Sequence, residues 1–177
     1  MAVQLVYETH SITVDNERGV ATGWLPGQLS ARGRELAAEL GRRRRSDGIS
    51  AVFVSDLTRA LETAAIAFEG SGIPVYIDSR LRECDFGEWN GTPIAVLEPQ
   101  RRNHLDVPWP GGESYRQAVG RTGAFLADLA RDWDGRRVLV IAHAAQRRAL
   151  QHIVDGIPLE DLVEAPFDWR EGWEYRL

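Results

Sequence analysis

The chain predicts an α/β fold, a three-layer α/β/α sandwich built on a mainly parallel sheet. Three observations carry this. Short apolar runs recur at residues 3–7, 51–54, 75–77 and 137–141. Stretches of helical character separate them, and strands alternating with helices imply a mainly parallel sheet covered on both faces. The 177 residues, 44% apolar and 27% charged, suit one domain with a full core.

Taken in order, Val3–Tyr7 reads as a short buried strand. Residues 15–28 hold four glycines and prolines and read as a loop. Ser30 is an N-cap for a helix to about Arg45, with Leu36, Ala37 and Leu40 on its apolar face. Ala51–Val54 is a second strand, followed by a helix from about Asp56 to Phe68. Val75–Ile77 is a third strand. Thr92 then Pro93 reads as a cap and a favoured first helical residue. Gly111–Gly112 breaks the chain, and Ser114 caps a long helix to about Trp133. Arg137–Ile141 is a fourth strand, with a helix from about Ala145 to Val154. Trp169–Leu177 reads as an extended edge strand. Trp133 and Trp169 read as core or interface residues, while Trp24, Trp89 and Trp109 lie in loops that could wall a pocket.

Composition narrows the function. A net charge of −5 argues against generic binding to nucleic acid or an anionic membrane. Arg42–Arg45 is the one basic block and reads as a solvated helix end. Cys84 is the single cysteine, so no internal disulfide forms, and it reads as a small core residue. No apolar run approaches the ~18 residues that span a bilayer. The N-terminus lacks a basic region followed by a long apolar run, so a cytoplasmic protein is expected. The four histidines show no short metal spacing, and one cysteine cannot build a zinc site. Neither a GxxxxGK[ST] phosphate loop nor a G-x-S-x-G elbow occurs.

Ligands of such sheets bind beyond the carboxyl ends of the strands. His10, Ser55 and His143 fall at such ends, with Arg59 one helical turn past Ser55. A neutral His10 imidazole could attack phosphorus and hold the group covalently. Thr13 and Asn16 follow in the same loop and could donate to an oxyanion. Arg59, in the first turn of its helix, would suit phosphate. His143 could donate to a phosphoryl oxygen. Glu83 is placed to protonate a leaving oxygen and later to activate water. Each residue alone also fits an ordinary role: a strand-end histidine, a turn former, a surface arginine, a loop carboxylate. Their agreement on one face of one sheet favours the chemical reading.

These residues resemble the histidine phosphatase superfamily, in its phosphoglycerate-mutase-like branch. Thr9-His10-Ser11-Ile12-Thr13-Val14-Asp15-Asn16 is similar to that family's Arg-His-Gly-x-Thr-x-x-Asn. SDLTRALETA (55–64) resembles its Ser-x-Leu-x-Arg-Ala-x-x-Thr-Ala block, and LRECDFGEWNG (81–91) resembles Leu-x-Glu-x-x-x-Gly-x-x-x-Gly. GWLPGQLSARG, PGGES and VLVIAHAAQRRAL resemble further blocks in the same order.

The resemblance implies that His10 becomes phosphorylated while Arg59 and His143 hold the phosphoryl group. Glu83 then serves as general acid and base, and Thr9, Ser11, Thr13 and Asn16 bind substrate. It implies no metal or other cofactor and a small phosphomonoester substrate. A single domain over 1–177 is expected, with 84–113 as a modest cap, and this favours a phosphatase over a mutase. A homodimer through tryptophans such as Trp169 and Trp173 is compatible with the sequence.

Several positions depart from the family pattern. Thr9 and Ser11 replace the arginine and glycine that flank the histidine, and Ala144-Ala145 replaces a glycine pair. The local loop also carries Glu8, an acid where a phosphate site wants none. Loss of a charged oxyanion donor costs about 2–4 kcal/mol. Arg18 and Arg147 are the nearest cations in sequence to the two histidines' loops. Two other readings of the same scaffold follow: an acid/base enzyme acting on a substrate without phosphate, and a non-catalytic binding module.

Overall fold

The computed structural model describes residues 2–177. The chain opens with strand β1 (Gln4–Thr9), a single-turn helix α1 (Val14–Arg18) and a short strand β2 (Val20–Ala21). Helix α2 (Ala31–Arg44), strand β3 (Ala51–Val54), helix α3 (Thr58–Phe68) and strand β4 (Val75–Ile77) follow. Then come β5 (Thr92–Pro93), α4 (Ile94–Leu97), α5 (Tyr115–Asp132) and β6 (Arg137–Ala142). The chain closes with α6 (Ala144–Ile153), α7 (Leu159–Glu164) and β7 (Trp173–Arg176).

The main sheet runs β4-β3-β6-β1-β7, parallel throughout except for the antiparallel edge strand β7. The expected α/β architecture with a mainly parallel sheet is what forms. Strand β3 and all but the first residue of β6 are buried, which is why both read as unbroken apolar runs rather than alternating ones. Leu5, Tyr7, Phe53, Val138 and Val140 face α5, through Phe125, Leu126 and Leu129, and α6, through Leu150. Val6, Val52, Val54, Leu139 and Ile141 face α2 and α3 through Leu40, Ala60 and Ala64. Each fully buried side chain of this size stabilises the fold by about 1.5–3 kcal/mol.

The helix starts follow local chemistry. Ser30 Oγ accepts from the Gly33 amide, and Ser114 forms a capping box with Gln117. Gly33 lies against the carbonyl of Ile12, where any Cβ would collide, so α2 packs directly on the backbone that carries His10.

Several expectations are corrected. Residues 15–28 are not simply a loop, because Thr13 and Asn16 close a capping box that starts α1, and Gly19 ends it at φ +68°. Pro93 caps α4 rather than beginning it, since Thr92 and Pro93 pair with β2. Helix α7 was not anticipated from its six residues. The edge strand starts at Trp173, and Trp169 is exposed rather than core. Trp109 is core rather than an exposed loop residue: it is buried with Cys84, Phe86, Leu97 and Tyr115 in a third cluster.

Candidate active site

The parallel register brings the two histidines together. Thr9 pairs with Ala142, so the residues that follow, His10 and His143, leave neighbouring strands side by side. The His10 amide donates to the Ala142 carbonyl at 2.8 Å, and the two imidazole centroids lie 5.0 Å apart.

His10 is held in one tautomer. Its Nδ1 lies 2.7 Å from the Ser11 carbonyl, which can only accept. Nδ1 therefore carries the proton, and Nε2 presents its lone pair. Burial, with Arg59 nearby, pushes the His10 pKa down to about 3, so the ring is neutral at physiological pH. His143 is fully buried, and burial with the charge of Arg59 drives its pKa well below the usual histidine value. Neither of its ring nitrogens has a hydrogen-bond partner among the described residues. Orphaned polar atoms at such depth are rare and concentrate at functional positions.

Arg59 enters from the first turn of α3. Its Nε points at His10 Nε2 at 3.3 Å, and its Nη2 donates to the Gly23 carbonyl at 2.8 Å. The anchor depends on glycine: Gly23 has φ +57°, and a Cβ there would strike the Asn90 side chain.

Glu83 is fixed from both sides. Its Oε1 accepts from the amides of Cys84 at 2.8 Å and Ala145 at 3.2 Å. Its own carbonyl accepts from Trp24 Nε1 at 2.6 Å and from Arg121 at 2.8 Å. Arg121 also binds the carbonyls of Arg80 and Arg82, both at 2.7 Å. One guanidinium thus sets the backbone that carries Glu83. No sequence signal marks Arg121, which sits within an ordinary amphipathic helix.

One cavity of about 680 Å³ is lined by His10, Arg59, Glu83, Thr9, Ser11 and Asn16. His143, fully buried beside His10, is not on the cavity wall. Thr13 is fully buried beneath, as the cap of α1. The Ser11 side chain is committed elsewhere: Oγ donates to the Gly33 carbonyl at 2.6 Å, and its amide donates to Thr63 Oγ1 at 2.9 Å. The serine sits at a negative φ, so its Cβ causes no backbone strain.

Glu8 is not the loop acid that the sequence suggested. It lies within β1 on the α2 side, buried, with Oε1 2.9 Å from Arg44 Nε and 3.4 Å from Arg43 Nη2. Arg147 stacks over Trp173 and Tyr175 at 4.8 and 5.3 Å. Neither it nor Arg18 lines the cavity. The additional cavity cations are Arg32, Arg43, Arg101 and Arg148, of which Arg101 pairs with Glu98 at 3.1 Å. Cys84 is buried with its thiol pKa pushed up by desolvation, which suits a core role. Among the described residues no three metal-ligating side chains come together, and no helix is long and apolar enough to cross a membrane.

Comparison with known proteins identifies the family and the fold. Residues 9–169 match the family model of the histidine phosphatase superfamily (branch 1). A 2,3-bisphosphoglycerate-dependent phosphoglycerate mutase of Methylobacterium sp. (strain 4-46) is 34% identical, covering 89% of this chain and 83% of its own. The solved structure of Bacillus stearothermophilus YhfR superposes with a TM-score of 0.82 at 30% identity, over 96% of this chain and 88% of that one. A mycobacterial glucosyl-3-phosphoglycerate phosphatase superposes at 0.78 with 27% identity, over 92% and 84%.

Proposed function

The chain belongs to the histidine phosphatase superfamily (branch 1), whose relatives here are phosphatases and phosphotransferases, and on that premise we propose that it hydrolyses a small phosphomonoester through a phosphohistidine at His10. The observation that carries this is the state of the His10 ring: Nδ1–H bound to the Ser11 carbonyl, Nε2 unprotonated and facing the cavity beside Arg59.

The steps follow from the groups present. Nε2 attacks phosphorus as the bond to the leaving oxygen breaks, and Glu83 supplies the proton to that oxygen. Arg59 exchanges its long contact to Nε2 for the equatorial oxygens of the phosphoryl group. His143, neutral and without a hydrogen-bond partner among the described residues, is buried off the cavity wall and donates one N–H to the same group as the His10 ring shifts toward phosphorus. Glu83 then takes a proton from water, which attacks the phosphohistidine and releases inorganic phosphate. No step requires a metal or cofactor. Residues 84–113 serve as a small cap, because Phe86, Ile94 and Glu98 close one side of the cavity.

The position before the histidine, an arginine in the family pattern, is Thr9, so Arg59 offsets the negative charge of the phosphoryl group without that partner. Thr9 and a mostly apolar wall also favour a second reading, in which His10 and Glu83 move protons on a substrate without phosphate. One assay separates them: turnover of an aryl phosphate by the wild type and by His10→Ala, with trapping of the phosphoenzyme by phosphorus NMR. Turnover that vanishes in His10→Ala, with a phosphohistidine resonance, supports the hydrolase. Turnover no greater than in the variant, across a broad panel of phosphoesters, excludes it.

A further inference from the structure

We propose that the leaving group of the substrate is apolar and ring-bearing, and that Phe167 and Trp169 form the wall that receives it. This rests on the hydrolase reading above and extends it to the substrate class. The cavity that holds His10 continues to the linker between α7 and β7, where Phe167 and Trp169 line it. The two rings are 41% and 52% exposed. Ile12, Leu36 and Leu40 line the same cavity. Aromatic surface left open and continuous with a polar reacting centre is the usual form of a small-molecule site.

Charge at this end is already compensated. Arg43 lies 3.4 Å from Glu8 and 3.9 Å from Glu171, and Arg32 lies 2.8 Å from Glu35 and 3.9 Å from Glu39. An anionic group placed against this wall would have to displace those carboxylates, whereas an apolar ring there displaces only water.

The wall is also held in place. The Phe167 ring packs edge-on to Trp173 at 6.0 Å, and Trp173 packs on Tyr7 in the sheet core at 6.1 Å. Arg44 donates to the Glu171 carbonyl at 2.8 Å and to Glu8 at 2.9 Å, tying the linker to β1. A preorganised wall of this kind costs a ligand little ordering entropy. The buried Glu8–Arg44 pair, which lies outside the proposed chemistry, therefore acts as the anchor of the specificity wall.

The test compares 2-naphthyl phosphate with phenyl phosphate, measuring kcat/KM for the full chain, Trp169→Ala and Phe167→Ala. Because leaving-group acidity is the same for every protein, it cancels when the naphthyl-to-phenyl ratio is compared between them. The wild type is expected to prefer the naphthyl ester, and Trp169→Ala to lower that ratio about 10-fold, as expected for loss of a ring's apolar contact. Turnover with a ratio unchanged in both variants overturns this inference and leaves the hydrolase reading standing. If neither ester turns over, the hydrolase reading is decided by the broad phosphoester panel, and calorimetric binding of 2-naphthol decides the wall separately. Binding weakened about 10-fold by Trp169→Ala supports the wall; absent or unaltered binding overturns it. Circular dichroism on both variants checks that the fold is retained.

Discussion

Arg59 Nε lies 3.3 Å from Nε2 of His10, 49 positions away in sequence. The contact joins the C-terminal end of β1 to the first turn of α3. It places a fixed positive charge beside an imidazole that burial keeps neutral. Because the guanidinium is also anchored on the Gly23 carbonyl, it cannot drift away when a substrate arrives. Preorganised charge of this kind is worth most in a water-poor site.

Arg59→Lys should lower kcat/KM for an aryl phosphate about 10²- to 10³-fold. Lysine is a point charge without the planar fork, so it cannot hold the Gly23 carbonyl and address a phosphoryl group together. Steady-state kinetics with a thermal melt alongside checks this. A loss of less than about threefold would remove Arg59 from the transition state.

The two central histidines should make the protein sensitive to acid. Burial, the leading cause, lowers both folded pKa values below the ordinary 6.5, to about 3 for His10. Between those values the unfolded chain takes up protons that the folded chain refuses. Stability therefore falls as pH drops from about 6.5 toward 3. Urea unfolding should show His10→Asn relieving about 1–2 kcal/mol of the loss between pH 7 and pH 5. Long-range nitrogen NMR should show His10 still as the neutral Nδ1–H tautomer at pH 5.

Thr9→Arg should raise aryl-phosphate kcat/KM by about 10-fold or more. Thr9 lines the cavity at the end of β1 beside His10, so a longer cationic side chain has space to reach the phosphoryl oxygens, and a charged donor there is worth about 2–4 kcal/mol. An unchanged or reduced rate, with the fold intact, would show that the cations already in the cavity suffice.

Glu8→Ala should destabilise the fold by about 3 kcal/mol, because Arg44 and Arg43 lose a buried partner. Glu8→Gln should cost about 1 kcal/mol: the amide oxygen still accepts from Arg44, and burial already pushes the Glu8 carboxyl pKa upward. Chemical denaturation of both variants at pH 7 checks the order. Equal losses would show that charge, rather than hydrogen bonding, holds this corner.

By itself the sequence determined the α/β class, the bounds of β3 and β4 and the long capped helices, and it singled out His10, Arg59, Glu83 and His143 as candidates gathered on one face of the sheet. These were legible because apolar periodicity, caps and strand ends are local signals. Short elements held by long-range contacts were not. Helix α1 looked like loop because its capping box uses asparagine, and β5 exists only through its pairing with β2.

Only the tertiary structure decided what each side chain faces. It turned Glu8 from a loop acid into the partner of Arg44, placed Thr13 beneath the cavity, and brought Trp169 to the cavity rim. It also revealed Arg121 as the clamp on the Glu83 backbone. The physical reason is that a side chain's partners across 30 to 130 intervening residues depend on strand order and register. Those follow from packing the whole core at once, whereas a residue's own helix or strand is set largely by its immediate neighbours.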